Sequence, residues 1–192
     1  ENSLAAIREA ARFGYDLVEL DVRLTKDGVP LIFHDATLAA ATGHPGAIGD
    51  LTAAEARAVR YRQNEEPIPT LDQALALCRQ LHLGVMLDLK DPPQPDGLQA
   101  IAALIRKHRL EKSTLTISGH PLVRAELGPV ALVPVTPDEI KRVNAGETLT
   151  LAGRYWFGIP AWISLETIPR LQQAGALVIP AINTFRYGDD PE

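Results

Sequence analysis

The sequence predicts an α/β protein and, within that class, a (β/α)8 TIM barrel. The 192 residues are 46% hydrophobic and 22% charged, a balance typical of one globular domain with a sizeable core. Apolar runs of strand character alternate with segments of helical periodicity, which favours a parallel sheet covered by helices. Carboxylates and a lysine fall near the predicted carboxyl ends of two strands, where such barrels carry their catalytic groups. We therefore expect a single barrel domain over residues 1–192.

Each predicted element has a local signal of its own. Helices are predicted where apolar residues recur every three or four positions, and capping-box spacing marks two starts, at Thr52 and Thr70. A turn at residues 26–28 joins the first two predicted strands as a hairpin. The predicted helices are residues 4–13, 52–55 onward, 70–81, 97–108, 121–127, 137–143 and 165–174. The predicted strands are residues 16–22, 29–33, 84–90, 114–118, 130–135, 155–159 and 176–182.

The composition disfavours several other classes of protein. No glycine-rich nucleotide loop follows any predicted strand, which lowers the case for a doubly wound sheet. A net charge of −5 with no basic stripe argues against a nucleic-acid partner. No apolar run is long enough to span a bilayer, so we expect no stable membrane insertion. The single cysteine, Cys78, excludes an internal disulfide but does not separate a cytoplasmic protein from an exported one.

Acidic side chains on the first predicted strand indicate a metal site. Glu19 and Asp21 share one face of that strand because successive side chains alternate, whereas Leu20 and Val22 face the opposite packing layer. Carboxylate oxygens suit a hard divalent cation such as Mg2+ or Ca2+. A structural alternative remains open, since a Glu-x-Asp pair on a strand is commonly a solvated or ion-paired surface.

The second predicted strand delivers a histidine close to these carboxylates. His34 ends that strand, and an imidazole can act as an acid or a base near neutral pH. Asp35 is expected to orient His34 or to cap the following turn. The remaining histidines, at positions 44, 82, 108 and 120, are expected to be non-catalytic. Ser118-Gly119-His120 lacks the strand-turn-helix context of a nucleophilic serine.

Several segments in this order carry a resemblance: ENSLAA (1–6), ELDVRLTKDGVP (19–30), FHDATL (33–38), IPTL (68–71), LDLK (87–90) and, more weakly, AINT (181–184). They resemble the glycerophosphodiester phosphodiesterase family. The resemblance implies a phosphodiesterase-type barrel that hydrolyses a small-molecule glycerophosphodiester to glycerol 3-phosphate and an alcohol, with a divalent cation. It implies that Glu19, Asp21 and Asp88 ligate the metal. It also implies acid/base catalysis by His34 and phosphate contact by the catalytic Lys90, with Asn2 and Asn183 at the substrate.

Three departures from the family pattern shape the expectations. The partner histidine of His34 belongs to a His-Arg-Gly motif expected before Glu1, and the last barrel strand is expected after Glu192. We therefore interpret the chain as strands two to seven of a barrel, which ordinarily needs about 250 residues. Asp88 replaces the usual Glu and shortens that ligand by one methylene, while Ala181 replaces a Trp and removes an aromatic wall.

Three alternatives stay open at this point. The first is a related lipid or sugar phosphodiesterase, such as a sphingomyelinase D-like enzyme. The second is a catalytically silent barrel that binds a phosphodiester or a metal. The third concerns single residues: Lys90 and Asp88 could form a structural ion pair, and Asn2 could cap the first helix.

Overall fold

The structure, a computed structural model, describes residues 2–159 and 162–181 and alternates helices with strands. The strands are β1 (Leu17–Leu24), β2 (Pro30–Ile32), β3 (Gly84–Leu89), β4 (Thr114–Thr116), β5 (Val133–Pro134), β6 (Arg154–Gly158) and β7 (Leu177–Pro180). The helices are α1 (Leu4–Arg12), α2 (Ala39–Thr42), α3 (Ala53–Ala58), α4 (Leu71–Gln80), α5 (Pro95–Lys107), α6 (Pro121–Leu127), α7 (Pro137–Asn144) and α8 (Thr167–Gln173). The α/β class is therefore confirmed.

The chain divides into two compact units, residues 1–132 and residues 133–192. The first unit contains a four-stranded sheet of order β2-β1-β3-β4, in which β1, β3 and β4 run parallel. The second unit contains a three-stranded parallel sheet of order β5-β6-β7. Among the described strands these two sheets stay open, and no closed barrel is formed.

The hairpin between β1 and β2 departs from a uniformly parallel sheet. The predicted turn is present, and β2 pairs antiparallel with β1 through Val22↔Ile32 and Leu24↔Pro30. A connection this short joins only antiparallel neighbours, because a parallel pair needs a long crossover. This pairing also extends β1 to Leu24. The prediction that Glu19 and Asp21 lie at the end of that strand was therefore wrong. They lie in its middle, within the segment that pairs with β3.

Helix starts follow the local signals closely. Thr52 and Thr70 both form the predicted capping boxes, with Glu55 and Gln73 as the reciprocal partners. Ser3 caps α1, since its side chain accepts a hydrogen bond from the Ala6 backbone N–H. Element ends shift by a few residues, as is usual where helices fray and strands lose partners. No helix of residues 2–159 and 162–181 has the length and apolarity needed to cross a membrane.

The core of the first unit fixes the orientation of β1. Leu20 and Val22 are 2% exposed and pack with Val85 and Leu87 of β3 in one apolar cluster against the helices. A fully buried aliphatic side chain contributes about 1.5–3 kcal/mol relative to an exposed one. A slip of one residue would exchange these side chains with Glu19 and Asp21. The buried face therefore holds the acidic residues on the opposite face, as the sequence predicted.

Candidate active site

Three carboxylates converge on the polar face of the four-stranded sheet. Asp21 and Asp88 are directly paired in the parallel register of β1 and β3, and Glu19 lies two residues before Asp21 on the same face. One carboxylate oxygen from each of the three residues lies within 4.8 Å of the others. An all-oxygen donor set at this spacing fits Mg2+ or Ca2+, which prefer carboxylate ligands. The predicted ligand residues are thus brought together by strand register alone.

Lys90 follows β3 and reaches back to two of these carboxylates. Its Nζ atom lies 2.8 Å from Asp21 Oδ1 and 2.6 Å from Asp88 Oδ2. Burial disfavours the charged amine, but the hydrogen bonds to Asp21 and Asp88 outweigh it and raise the pKa of Lys90. The ion pair with Asp88 expected as an alternative is therefore present, and it extends to Asp21. The Lys90 ammonium group therefore places a positive charge beside the acidic cluster.

Asn2 holds Asp21 from the other side. Its Nδ2 donates to Asp21 Oδ2 at 2.6 Å, and its Oδ1 accepts from the Asp21 backbone N–H at 3.1 Å. Its own carbonyl accepts a hydrogen bond from the Tyr61 hydroxyl at 3.0 Å. A φ of 48° is a conformation that asparagine tolerates better than most residues. The helix-cap interpretation of Asn2 was wrong, because Ser3 caps α1 and frees Asn2 for the site.

The carboxylates differ in their tendency to ionise. Burial of Asp21 opposes its charge, yet hydrogen bonds from Lys90 and then Asn2 overcome that effect and lower its pKa. Among the described residues, no donor plays this role for Glu19. Desolvation by the surrounding protein, followed by the negative charges of Asp21 and Asp88, raises the pKa of Glu19 to about 7. The cluster therefore contains one firmly ionised carboxylate and one that titrates near neutral pH.

His34 lies just beyond β2, with its ring more than half exposed. Its Nδ1 lies 2.9 Å from Asp35 Oδ1. Asp35 therefore orients the ring, which is one of the two roles predicted for Asp35. This hydrogen bond, and next the charge of Asp21, raise the pKa of His34. The backbone is fixed as well, because Arg23 Nη2 donates to the His34 carbonyl at 2.9 Å. Nε2 is left as the nitrogen that can exchange a proton with a ligand.

These groups line a single hollow with a volume of about 440 Å³. Its walls contain every predicted site residue that the structure describes, namely Asn2, Glu19, Asp21, His34, Asp88 and Lys90. Asn183 lies outside the described residues. The other histidines lie elsewhere. His108, for example, is 2.7 Å from Asp72, and His120 accepts a hydrogen bond from the Leu122 N–H at the start of α6.

Two supporting residues were missed by the sequence analysis. Arg23 joins the His34 carbonyl to Asp91, whose Oδ1 lies 2.9 Å from Arg23 Nη1. A detectable signal existed, because Arg23 is two residues beyond Asp21 and thus on the same strand face. Tyr61 offered no comparable signal, since its hydroxyl meets the Asn2 carbonyl across 59 residues of sequence.

Comparisons with known proteins identify the family to which the chain belongs. The sequence model described as "Glycerophosphoryl diester phosphodiesterase family" matches residues 1–113, more than half of the chain. The chain belongs to this family. Human glycerophosphodiester phosphodiesterase 1 is 40% identical over 98 residues, which cover 47% of this chain and 30% of that protein. A glycerophosphodiester phosphodiesterase of Caldanaerobacter subterraneus is 33% identical over 96 residues, covering 47% of this chain and 40% of that protein. The chain thus matches less than half the length of either curated relative.

Solved structures support the fold over a longer stretch. A glycerophosphodiester phosphodiesterase from Agrobacterium tumefaciens has a TM-score of 0.71 and 25% identity, covering 97% of this chain and 83% of that one. An Oleispira antarctica phosphodiesterase, solved in complex with the product sn-glycerol-3-phosphate, has a TM-score of 0.71 and 22% identity. It covers 95% of this chain and 79% of that one.

Proposed function

We propose that this chain catalyses metal-dependent hydrolysis of glycerophosphodiesters to glycerol 3-phosphate and an alcohol. The observation that carries the proposal is the meeting of three carboxylates, a lysine and a histidine in one hollow of a member of this family. We further propose that the fold is a (β/α)8 barrel of the phosphodiesterase type. The likeness to solved family structures over nearly the whole chain supports this finer assignment.

Glu19, Asp21 and Asp88 are the residues that would hold the divalent cation. Their oxygen donors suit Mg2+ or Ca2+, and two of the three are fixed by direct strand pairing. When bound, such a cation neutralises phosphate oxygens and lowers the pKa of a bound water or hydroxyl. Asn2 contributes by orienting Asp21 through two hydrogen bonds. We propose that Asn2 acts at the substrate side of the site mainly through this contact, and that Asn183 contributes a further substrate contact.

Lys90 would bind the phosphate as a point charge. Its ammonium group already lies within hydrogen-bond distance of Asp21 and Asp88, so it borders the same space that a bound phosphate would occupy. A lysine ammonium has three donors, and the raised pKa keeps it charged throughout the neutral range. Lys90 can therefore share its donors between the carboxylates and a phosphate oxygen.

His34 would supply the proton to the departing alcohol. The contact with Asp35 raises the pKa of His34 and favours the imidazolium form, which is the form needed in a general acid. In the reaction, the bond between phosphorus and the alcohol oxygen breaks, and the Nε2 proton passes to that oxygen. A water oxygen becomes bonded to phosphorus, and its proton passes to a base. The family pattern implies a second histidine, and we propose that it is this base.

The test is release of glycerol 3-phosphate from glycerophosphoglycerol by the complete gene product, with Mg2+, Ca2+ or EDTA. We expect cation-dependent release that falls by about 100-fold or more in His34→Ala, the usual contribution of a positioned acid or base. His44→Ala is the matched control, because His44 is exposed and its ring bonds to the neighbouring Pro45 carbonyl. Cation binding without turnover would support the silent binding barrel instead. Cleavage of a choline lipid but not of the soluble diester would support the sphingomyelinase D-like alternative.

A further inference from the structure

A second hollow, the side pocket, lies directly beside the catalytic hollow. It has a volume of about 760 Å³ and is lined by Asn2, Ser3 and three short segments, residues 33–35, 40–41 and 61–64. Asn2, Ser3 and His34 line both hollows. Sites for small molecules commonly have volumes of this order. The side pocket is therefore large enough for a substrate group attached to the phosphate in the catalytic hollow.

The shared histidine gives the side pocket a place in the reaction. His34 borders the acidic cluster on one side and the side pocket on the other. Under the proposed function, on which this inference rests, His34 protonates the oxygen of the departing alcohol. That alcohol must lie within hydrogen-bond distance of the His34 ring. Both hollows border that ring, but the side pocket is not lined by any of the three proposed metal-binding carboxylates. It is therefore the place available to the alcohol.

The polar groups of the side pocket include several hydrogen-bond donors. Arg62 has its guanidinium close to Gly43, where it would contact an added Cβ. Within the described residues, this guanidinium has no carboxylate partner. Gln63 and Asn64 add side-chain amides. The carboxylate of the pocket, that of Asp35, is already held by His34.

The aromatic residues do not provide a site for a quaternary ammonium group. Phe33 is only 2% exposed, and its ring stacks on Tyr61 with centroids 6.0 Å apart and an interplanar angle of 20°. The Tyr61 hydroxyl is engaged by the Asn2 carbonyl. Choline recognition uses open aromatic faces around the cation. The unpaired charge of Arg62 would in addition repel choline.

We propose that the side pocket receives the departing alcohol and selects an uncharged polyol, such as glycerol or inositol, over cationic choline. Arg62, Gln63 and Asn64 donate to the hydroxyl oxygens of the polyol, as guanidinium and amide groups can. Arg62 carries most of the discrimination because it combines those donors with a positive charge. The common phosphate and glycerol half of the substrate is bound elsewhere and contributes equally to both diesters.

The experiment compares kcat/KM for glycerophosphoinositol and glycerophosphocholine, using the complete gene product. We expect the wild-type protein to favour the inositol diester and Arg62→Glu to shift the ratio toward choline by about tenfold. Arg62→Ala should shift it in the same direction by less. Arg57→Glu is the matched control, because it makes the same charge change on an exposed position of α3 outside the side pocket. Arg57→Glu should leave the ratio unchanged.

The outcomes separate this inference from the proposed function. Turnover of both diesters with no preference, or with the same preference in Arg62→Glu, overturns the inference and leaves the phosphodiesterase assignment standing. No turnover of either diester counts against the proposed function. In that case equilibrium binding of the two diesters by calorimetry decides the inference: a polyol preference that Arg62→Glu reduces supports it, and equal affinities overturn it.

Discussion

Replacement of Lys90 by methionine should destabilise the protein in a way that a divalent cation relieves. Lys90 makes two ion pairs, and the exposed fractions of the side chains are 22% for Lys90, 5% for Asp21 and 31% for Asp88. Lys90→Met keeps the aliphatic length but leaves Asp21 buried without its positive partner. Glu19 and Asp88 then add repulsion, since one oxygen of each carboxylate lies within 4.8 Å of the others.

The expected loss of stability in Lys90→Met lies between two known limits. Removing one partner of a fully buried ion pair costs about 3–5 kcal/mol, whereas an exposed pair contributes less than about 1 kcal/mol. Lys90 is partly buried, so we expect a loss of about 2 kcal/mol in the free energy of unfolding when EDTA is present. For a protein of this length that corresponds to a decrease in Tm of about 6 °C. A bound cation supplies the missing positive charge, so the loss should fall to about half with saturating Mg2+ or Ca2+.

Thermal unfolding is followed by circular dichroism at pH 8. It measures the loss of stability of Lys90→Met with and without the cation. Lys112→Met is the control, because Lys112 is exposed and outside the acidic cluster. Equal losses with and without the cation would refute the reasoning, since they would mean that Lys90 does not share its carboxylates with the metal. A loss in Lys112→Met as large as in Lys90→Met would refute it as well.

Two further predictions concern cation affinity measured by calorimetry. Because the pKa of Glu19 is raised to about 7, its carboxyl group is protonated below that value and must lose its proton to bind a cation. Cation affinity should thus rise by about tenfold between pH 6 and pH 8, and Glu19→Gln should remove that rise. A cation affinity that does not change with pH in the wild-type protein would contradict the assignment of Glu19 as a ligand. Asn2→Ala removes both hydrogen bonds to Asp21, so we expect affinity to fall by about tenfold. Gln80→Ala, at an exposed position of α4, is its control, and unchanged affinity in Asn2→Ala would show that Asp21 needs no such support.

The local elements of this protein were predictable because their signals are local. Capping boxes at Thr52 and Thr70 need only the three residues that follow, and both are present. The turn at residues 26–28 likewise predicted the hairpin. The extent of β1 was not predictable in this way. Its continuation to Leu24 depends on hydrogen bonds to β2, and a single-strand pattern does not record where a partner ends.

The sequence by itself determined which residues could form the site. Alternation on β1 placed Glu19 and Asp21 on one face, because exposing Leu20 and Val22 would forfeit their burial in the core. The spacing of His34 after the turn placed an imidazole beside the carboxylates.

The tertiary structure decided how these groups interact. The register of β1 with β3 pairs Asp21 with Asp88 and brings Lys90 to both carboxylates. The contact of Tyr61 with Asn2 joins residues 59 positions apart. Such contacts depend on closing long loops and on the packing of several elements at once, and neither is encoded in a local pattern. The sequence therefore predicts which residue types form the site. Their hydrogen bonds, their ion pairs and the neighbouring side pocket are seen only in the tertiary structure.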